Sequence, residues 1–224
     1  MFQTIKPLIL ASGSPRRKAL LSNLGIVFSV VIPEVDESPL PGETEEPYTL
    51  RMAALKGEEV STLNPSAWVV SADTVVVFGD RLLTKPASPD QAVAMLMLLS
   101  GQQHQVRTGF TLCCRDQGVS VVRSVLSQVR FKAFGRDWAE AYVGTGEPMD
   151  KAGGYGIQGQ GGVLVESVSG SYSNVVGLPL AEVVELLGEY RLPGRRRPRP
   201  RHQRRHARAD RALQDSGRHY RRDH

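Results

Sequence analysis

The sequence predicts an α/β protein with a mixed β-sheet. Strand-like and helix-like patterns alternate in the first part of the chain, and two long β-rich segments, residues 104–114 and 119–134, follow them. Hydrophobic residues make up 41% of the 224 residues, which suffices for a packed core and excludes general disorder. We therefore expect one domain or two small ones, and two lobes around a cleft would fit this order of elements.

The N-terminal pattern predicts a strand, a tight turn and a helix. The apolar run Leu8–Ala11 is typical of a short buried strand. After a Ser-Gly-Ser turn, Ser14 suits the N-cap of a helix over 15–24, because proline favours the first helical position and Gly25 would end the helix. A second strand is predicted over 27–32, and an acidic, proline-rich loop over 33–47.

The middle of the chain carries a helical stripe. Met52, Lys56 and Val60 lie four residues apart within a helix predicted over 47–62, which places Lys56 between apolar neighbours. The elements predicted next are a strand over 68–72 that ends at Asp73, a hairpin over 75–83, a helix over 89–99, the two β-rich segments, and a helix over 136–143. Residues 144–162 hold eight glycines, too many for a regular element, and a strand over 163–168, a loop over 169–174 and a helix over 180–190 follow.

Charge is divided unevenly along the chain. Residues 191–224 contain 13 Arg and 3 Asp, a net charge of +10, which leaves −5 for residues 1–190. This tail has too few large apolar residues to fold, so we expect a body over 1–191 and a disordered tail over 192–224. Its arginines would suit nucleic-acid binding, but we favour a plain solvated extension because no aromatic stacking pattern accompanies the charge.

Cysteine, histidine and hydropathy exclude several classes of protein. Cys113 and Cys114 are adjacent, so they lack the spacing of zinc or redox pairs and would point to opposite faces of a strand as buried thiols. His104 is the single histidine outside the tail, and we expect a structural role for it. No apolar run is long enough to cross a membrane and no signal peptide is apparent, so we expect a cytoplasmic protein without a membrane partner.

The first candidate binding segment is the turn from Ser12 through Ser14 to Arg16 and Arg17. A turn that leads into a helix offers free backbone N–H groups, and guanidinium forks suit phosphate oxygens. The segment therefore resembles a phosphate cradle, although it is not a Walker A loop. The alternative is an ordinary capped helix start followed by exposed basic residues.

Carboxylates form the second candidate group. Glu34 and Asp36 would share a face in an extended chain, and clustered carboxylates can hold Mg²⁺ or Mn²⁺. Asp73 at the end of a buried strand would be costly unless it were paired or functional. The alternatives are a solvated acidic loop and an aspartate that caps a turn with Thr74.

Two lysines and a glycine-rich loop complete the candidates. Lys56 and Lys85 would pair with a carboxylate or a phosphate, or else extend past apolar neighbours to solvent. In the loop over 150–159, Gln158 offers one donor group and one acceptor, enough to contact a nucleobase edge. The alternative is a glycine loop without a ligand.

Taken in order, these segments resemble the Maf family of nucleoside triphosphate pyrophosphatases. The matching stretches span about residues 8–187: LILASGSPRRKALL, PEVDES, SADTVV, LTKP, LSGQQHQVRTG, GEPMDKAGGYGIQGQGG and GSYSNVVGLPL. The resemblance implies a Maf/ITPase-like twisted sheet with flanking helices and two lobes, and cleavage of the α–β phosphoanhydride with a divalent metal, Mg²⁺ or Mn²⁺. The resemblance stops near residue 191, and Gly57 stands where the family usually has alanine.

The resemblance also assigns roles. Ser12, Arg16 and Arg17 would bind the phosphates, and Gln158 would contact the base. Ser14 and Thr74 are further candidates for substrate binding. Lys56 and Lys85 would stabilise charge. Asp73, Glu34 and Asp36 would bind the metal and activate the attacking water. We favour Asp73 as general base and Glu34 as metal ligand, but the sequence does not distinguish this assignment from the opposite one.

The SGSPRR start and the DKAGGYGIQG loop are similar to the branch that cleaves dTTP and UTP. Members of this kind also act on modified pyrimidine nucleotides, so the resemblance implies a housekeeping role in which such nucleotides are removed from the cellular nucleotide pool. The alternatives are the branch of the family that cleaves 7-methyl-GTP and a nucleotide-binding regulator of septum formation. Family members often form homodimers, but the sequence does not fix the oligomeric state.

Overall fold

The computed structural model describes residues 2–4 and 6–195. The strands are β1 (Phe2–Thr4), β2 (Leu8–Ala11), β3 (Ser29–Val31), β4 (Trp68–Phe78), β5 (Arg81–Leu83), β6 (Gln103–Cys114), β7 (Val119–Phe131), β8 (Val165–Ser169) and β9 (Pro193–Arg195). The α-helices are α1 (Pro15–Asn23), α2 (Glu45–Leu63), α3 (Pro89–Leu99), α4 (Arg136–Val143), α5 (Tyr172–Val176) and α6 (Leu180–Glu189).

The main sheet is mixed, which confirms the predicted class. Its strand order is β3-β2-β4-β6-β7-β8, with β5 paired to β4, while β1 and β9 form a separate two-stranded sheet. Strand β2 runs parallel to β3 and β4, and the pairs from β4 through β8 are antiparallel. None of the helices in the described part of the chain combines the length and hydrophobicity that crossing a bilayer would require.

The prediction that a strand ends at Asp73 is wrong, because β4 continues to Phe78. Its parallel pairing with β2 stops at Ala11 and Ser71, but its antiparallel pairing with β6 continues to Val77. Asp73 therefore lies within a continuous strand, just beyond the point where its parallel neighbour has ended.

Other differences are local. Residues 172–174, predicted as part of a loop, belong to the short helix α5, whose N-cap Ser171 accepts a hydrogen bond from the Asn174 N–H. The strand predicted over 163–168 becomes β8 two residues later, because residues 160–164 make 3₁₀ turns. The strand predicted over 27–32 is confined to the three residues of the edge strand β3.

Two large hydrophobic clusters form most of the core. One surrounds the start of β4 with α1 and α6, and the other packs α3 and α4 against the end of β4 and the start of β6. Cys114 belongs to the first cluster, and Cys113 to a smaller one beneath α2, so the two thiols are buried on opposite faces as predicted. Burial raises the pKa of the Cys113 thiol to about 11.

Helix α2 lies unusually close to the sheet at two glycines. A Cβ on Gly57 would stand 2.9 Å from Ser71 Oγ and 3.2 Å from Cys113 Sγ. A Cβ on Gly109 of β6 would fall on the backbone carbonyl of Thr49. The missing side chains allow this approach, so Gly57 has a packing reason that offsets its poor helix propensity.

The segment predicted to be a tail begins inside the described residues. Leu192 is buried in the first hydrophobic cluster, and strand β9 follows it. The remainder of the predicted tail, with its four histidines, lies outside the described residues.

Candidate active site

A cavity of about 640 Å³ opens beyond the carboxyl end of β2, beside the middle of β4. Val176 of the first large cluster and Val76 and Tyr155 of the second contribute to its lining. Its polar lining includes most of the predicted site residues: Ser12, Ser14, Arg16, Arg17, Lys56, Asp73, Thr74, Lys85 and Gln158. The fold therefore brings together residues that are widely separated in sequence.

Arg17 is fixed against the cavity wall by three acceptors. Its Nε donates to the Gly177 carbonyl at 2.7 Å, and its two terminal nitrogens donate to Ser12 Oγ at 3.2 Å and Thr74 Oγ1 at 3.1 Å. Ser14 caps α1 by accepting a hydrogen bond from the Arg17 backbone N–H. Burial lowers the pKa of Arg17, while the charge of Asp73 acts in the opposite direction.

A buried polar network supports this arginine from behind. Thr74 Oγ1 lies 2.8 Å from Thr108 Oγ1, and the Thr108 hydroxyl donates to the backbone carbonyl of Asn174 at 3.1 Å. The Asn174 side chain is fully buried and donates to the Val106 carbonyl and to Ser127 Oγ. The GSYSNVVGLPL segment thus holds the cradle in place, a role that its sequence did not reveal.

Lys56 lies between two carboxylates in the cavity lining. Its Nζ is 2.7 Å from Asp73 Oδ1 and 2.7 Å from Glu37 Oε1. Lys56 and Asp73 are both buried, whereas the Glu37 side chain is about half exposed. Although burial alone would raise the pKa of Glu37, its hydrogen bond to Lys56 and the charges of Lys56, Lys85 and Arg17 hold that pKa below its ordinary value.

Glu34 and Asp36 are exposed and do not line the cavity. The Glu34 backbone N–H donates to the Glu59 carboxylate at 2.8 Å, and Asp36 accepts a hydrogen bond from the Ser38 N–H. Residues 32–40 form no strand, and both side chains are exposed to solvent there, so the metal role predicted for this pair stays a prediction. Glu37, from the same acidic run, is the member that reaches the cavity.

Two further cavity residues, Tyr48 and Asp150, were not predicted from the sequence. Tyr48 donates its hydroxyl hydrogen to the Glu37 carbonyl, and burial together with the charges of Asp73 and Glu37 raises its pKa to about 12. Asp150 bridges the cavity, because its carboxylate accepts from Arg16 at 3.1 Å and from Lys151 at 2.6 Å. Nothing in the local sequence around Tyr48 or Asp150 indicates the contacts of Tyr48 with Glu37 and of Asp150 with Arg16, because the partners lie far apart along the chain.

The cavity offers few protein ligands for a divalent cation. In the described part of the chain, no three or more His, Cys, Asp and Glu side chains are arranged to hold a metal ion. Mg²⁺, however, is commonly bound through one or two carboxylates together with substrate phosphates and water. Asp73 and Glu37 meet at one point of the cavity and supply such oxygens, so these residues fit a cation that a phosphate ligand helps to hold.

His104 is not a cavity-lining residue. It is buried in the second large cluster, where Nε2 lies 2.8 Å from the Tyr155 hydroxyl and the ring makes edge contacts with Phe131. Burial lowers its pKa to about 4, so the ring is neutral at physiological pH. This is the structural placement that the sequence predicted.

Comparisons of the sequence with known proteins point to a single family. The family model described as Maf-like protein matches residues 7–190. A dTTP/UTP pyrophosphatase of Desulfotalea psychrophila is 50% identical over 190 residues, covering 85% of this chain and 97% of that protein. Proteins of the same name from Myxococcus xanthus and Alcanivorax borkumensis are 48% and 50% identical, covering 83% and 80% of this chain and 93% of each relative.

A solved structure of the Staphylococcus aureus Ham1 protein aligns with this chain at a TM-score of 0.41 and 16% identity. The alignment covers 59% of this chain and 79% of that one, and the likeness is too weak to support a conclusion.

Proposed function

The chain belongs to the Maf family, and from that premise we propose that it hydrolyses dTTP and UTP to the nucleoside monophosphate and pyrophosphate. Relatives that bear this activity in their names are about half identical to the chain over nearly their whole length. The reaction is the hydrolysis of the α–β phosphoanhydride bond.

One observation carries the proposal. The Lys56 ammonium, held between Asp73 and Glu37, and the fixed guanidinium of Arg17 line the same cavity. Cations are needed where a triphosphate binds, and carboxylates where water must be oriented and deprotonated. A cavity that only bound an anion would not need two carboxylates in contact with its lysine.

The phosphate-binding role falls to the start of α1. Arg17 is held by Ser12, Thr74 and Gly177, so it meets the ligand without first losing conformational freedom. Arg16 lines the cavity in contact with Asp150, and phosphate oxygens would compete with that carboxylate for its guanidinium. Lys85 brings a further positive charge to the lining.

Asp73 is the general base in this proposal. Its carboxylate is buried and oriented by Lys56, so it accepts a proton from a water placed in line with the departing pyrophosphate. A bound Mg²⁺ or Mn²⁺ would neutralise phosphate charge and would be held by Asp73 and Glu37. Glu34 and Asp36 remain candidates for a metal role only if the loop over 33–44 takes another arrangement.

The base would lie at the glycine-rich side of the cavity. Gln158 and Ile157 line that side, and the amide of Gln158 can both donate to and accept from a pyrimidine edge. On this proposal the protein clears unwanted pyrimidine nucleotides, works in the cytoplasm and requires a divalent cation. The oligomeric state stays open, and a plain solvated extension rather than a nucleic-acid arm remains the prediction for the tail.

The test is an endpoint assay of the full chain with Mg²⁺ or Mn²⁺, offering dTTP, UTP, CTP, 7-methyl-GTP and dITP and identifying both products. We expect monophosphate and pyrophosphate, with dTTP and UTP cleaved fastest. Fastest cleavage of 7-methyl-GTP would overturn the substrate assignment but not the reaction. Tight nucleotide binding without turnover would overturn the enzyme assignment and favour a regulatory nucleotide-binding protein.

A further inference from the structure

The loop over residues 156–161 is tied down at both ends by two side chains that lie outside the cavity lining. At its start, the Gly156 N–H donates to the Tyr142 hydroxyl oxygen at 3.0 Å. At its end, the backbone N–H groups of Gln160 and Gly161 donate to the Glu147 carboxylate at 2.8 and 3.2 Å. Ile157 and Gln158, which do line the cavity, lie between the two ties.

The two anchoring side chains are also joined to each other. The Tyr142 hydroxyl donates to Glu147 Oε1 at 2.8 Å, so one hydroxyl and one carboxylate form a single unit. Tyr142 is buried in the second large cluster, where its ring is fixed by packing. Lys151 donates to the Glu147 backbone carbonyl at 2.5 Å and so restrains the same residue from the other side.

The glycines of the loop fit this arrangement. A Cβ on Gly159 would fall on the Glu147 carboxylate, and a Cβ on Gly161 would fall on the Tyr142 hydroxyl. The backbone can approach the anchoring pair this closely only because both positions lack a side chain. The loop is therefore shaped around Glu147 and Tyr142.

We propose that Glu147 and Tyr142 are positioning residues for base selection: they hold the loop over 156–161 so that Gln158 meets the nucleobase in one orientation. This inference rests on the proposed function, and it adds a determinant of selectivity that does not itself touch the ligand. Loss of the pair would let Gln158 move, which weakens discrimination between bases and leaves the phosphate-binding residues in place.

The test compares kcat/KM for dTTP and dGTP in the full chain. For Glu147→Gln we expect the dTTP-to-dGTP ratio to fall about tenfold, because hydrogen bonds to a charged acceptor are lost. Tyr142→Phe keeps the packed ring and should lower the ratio in the same direction by a smaller factor. It also serves as the second variant should Glu147→Gln fail to fold. Glu140→Gln, which removes an exposed carboxylate from α4, is the matched control and should change neither value.

A double variant separates positioning from a general structural role. Since Glu147 acts through Gln158, adding Glu147→Gln to Gln158→Ala should lower the ratio no further. A ratio equal to that of the wild type in both anchor variants, or losses that multiply in the double variant, would overturn the proposal. Equal losses for both nucleotides would also overturn it, because they would indicate general destabilisation.

Amide hydrogen exchange provides a readout that is independent of turnover. The amides of Gly156, Gln160 and Gly161 should be protected in the wild type, and those of Gln160 and Gly161 should lose protection in Glu147→Gln. If the wild type cleaved no nucleotide, the proposed function would fail, and exchange would still decide whether Glu147 holds the loop. Retained protection in the variant would overturn the anchoring role.

Discussion

The two sides of the cavity are organised differently. The side formed by β4, α2 and the start of α1 consists of charged side chains, each held by partners on other elements, as with Arg17 and Lys56. The side formed by residues 156–161 consists of backbone and neutral side chains, held by the carboxylate of Glu147 and the hydroxyl of Tyr142. The difference matches the two ends of a nucleotide: a triphosphate requires charge, whereas a base requires shape and hydrogen bonds.

The largest effect is expected on the charged side. Asp73→Asn should lower kcat by about 10³-fold, because the general base is lost while Lys56 keeps its contact with Glu37. Steady-state assays with dTTP, together with a thermal melt that shows an intact fold, would measure it. Asp80→Asn, in the exposed turn of the neighbouring hairpin, is the matched control. Activity of the Asp73 variant near that of the wild type would refute the assignment.

Lowering the pH should destabilise the fold at His104, which is buried beside the second large hydrophobic cluster. His104, bonded to Tyr155, has a pKa of about 4 in the fold against its ordinary 6.5. The unfolded chain therefore takes up this proton first as the pH falls, and stability that is complete above pH 6.5 is lost progressively towards pH 4. The loss amounts to about 3 kcal/mol.

Chemical denaturation at several pH values would measure this dependence. His104→Gln removes the titrating group, so the free energy of unfolding should vary less between pH 6.5 and 4 than in the wild type. The comparison concerns the slope, so it holds even if the variant is less stable throughout. Identical slopes in the two proteins would show that His104 does not cause the acid sensitivity.

Replacing Arg17 tests the preorganisation of the charged side. Arg17→Lys keeps the charge but cannot satisfy Ser12, Thr74 and Gly177 together. We expect kcat/KM to fall about 10- to 100-fold, and equally for dTTP and dGTP, because the phosphates are common to both. The exposed Arg136→Lys is the control. A selective loss for one base would contradict the division between the two sides.

The smallest effect should appear in base selection. Gln158→Ala removes an amide that faces the cavity, and the dTTP-to-dGTP ratio should fall about tenfold with little change in the response to pyrophosphate as an inhibitor. Gln160→Ala, an exposed neighbour that the cavity lining does not include, should leave the ratio unchanged. An unaltered ratio in the Gln158 variant would remove it from base recognition.

Sequence patterns predicted most helices and strands because local signals fix them. Ser14 and Pro15 mark the start of α1, Ser88 precedes α3 as its cap, and Gly118 turns β6 into β7 with a positive φ of 61°. Such signals act within a few residues, so they can be found without knowing the rest of the fold. The resemblance to the family then indicated which of these elements would meet at a site.

The features that sequence missed depend on distant pairing. Asp73 lies within β4 because β6 continues alongside it, and its register partner Gly109 is 36 residues further along the chain. Glu37 rather than Glu34 reaches Lys56 because the loop over 32–44 follows no regular period that would fix its faces. The support of Arg17 by Gly177 likewise joins segments that have no local relation.

The close contact between α2 and the sheet has a further consequence. Gly57 is the next residue after Lys56, and Gly109 is the register partner of Asp73, so the two glycines flank the ion pair from helix and strand. Because neither residue has a side chain, α2 can approach the sheet closely at this point, and this approach sets the distance between the Lys56 ammonium and the Asp73 carboxylate. The two positions differ in tolerance: at Gly57, where the family usually has alanine, a Cβ would meet only side-chain atoms, whereas at Gly109 it would fall on the Thr49 backbone. An added methyl group at Gly109 would push α2 away from β4 and draw the ammonium from the carboxylate, although Gly109 does not line the cavity.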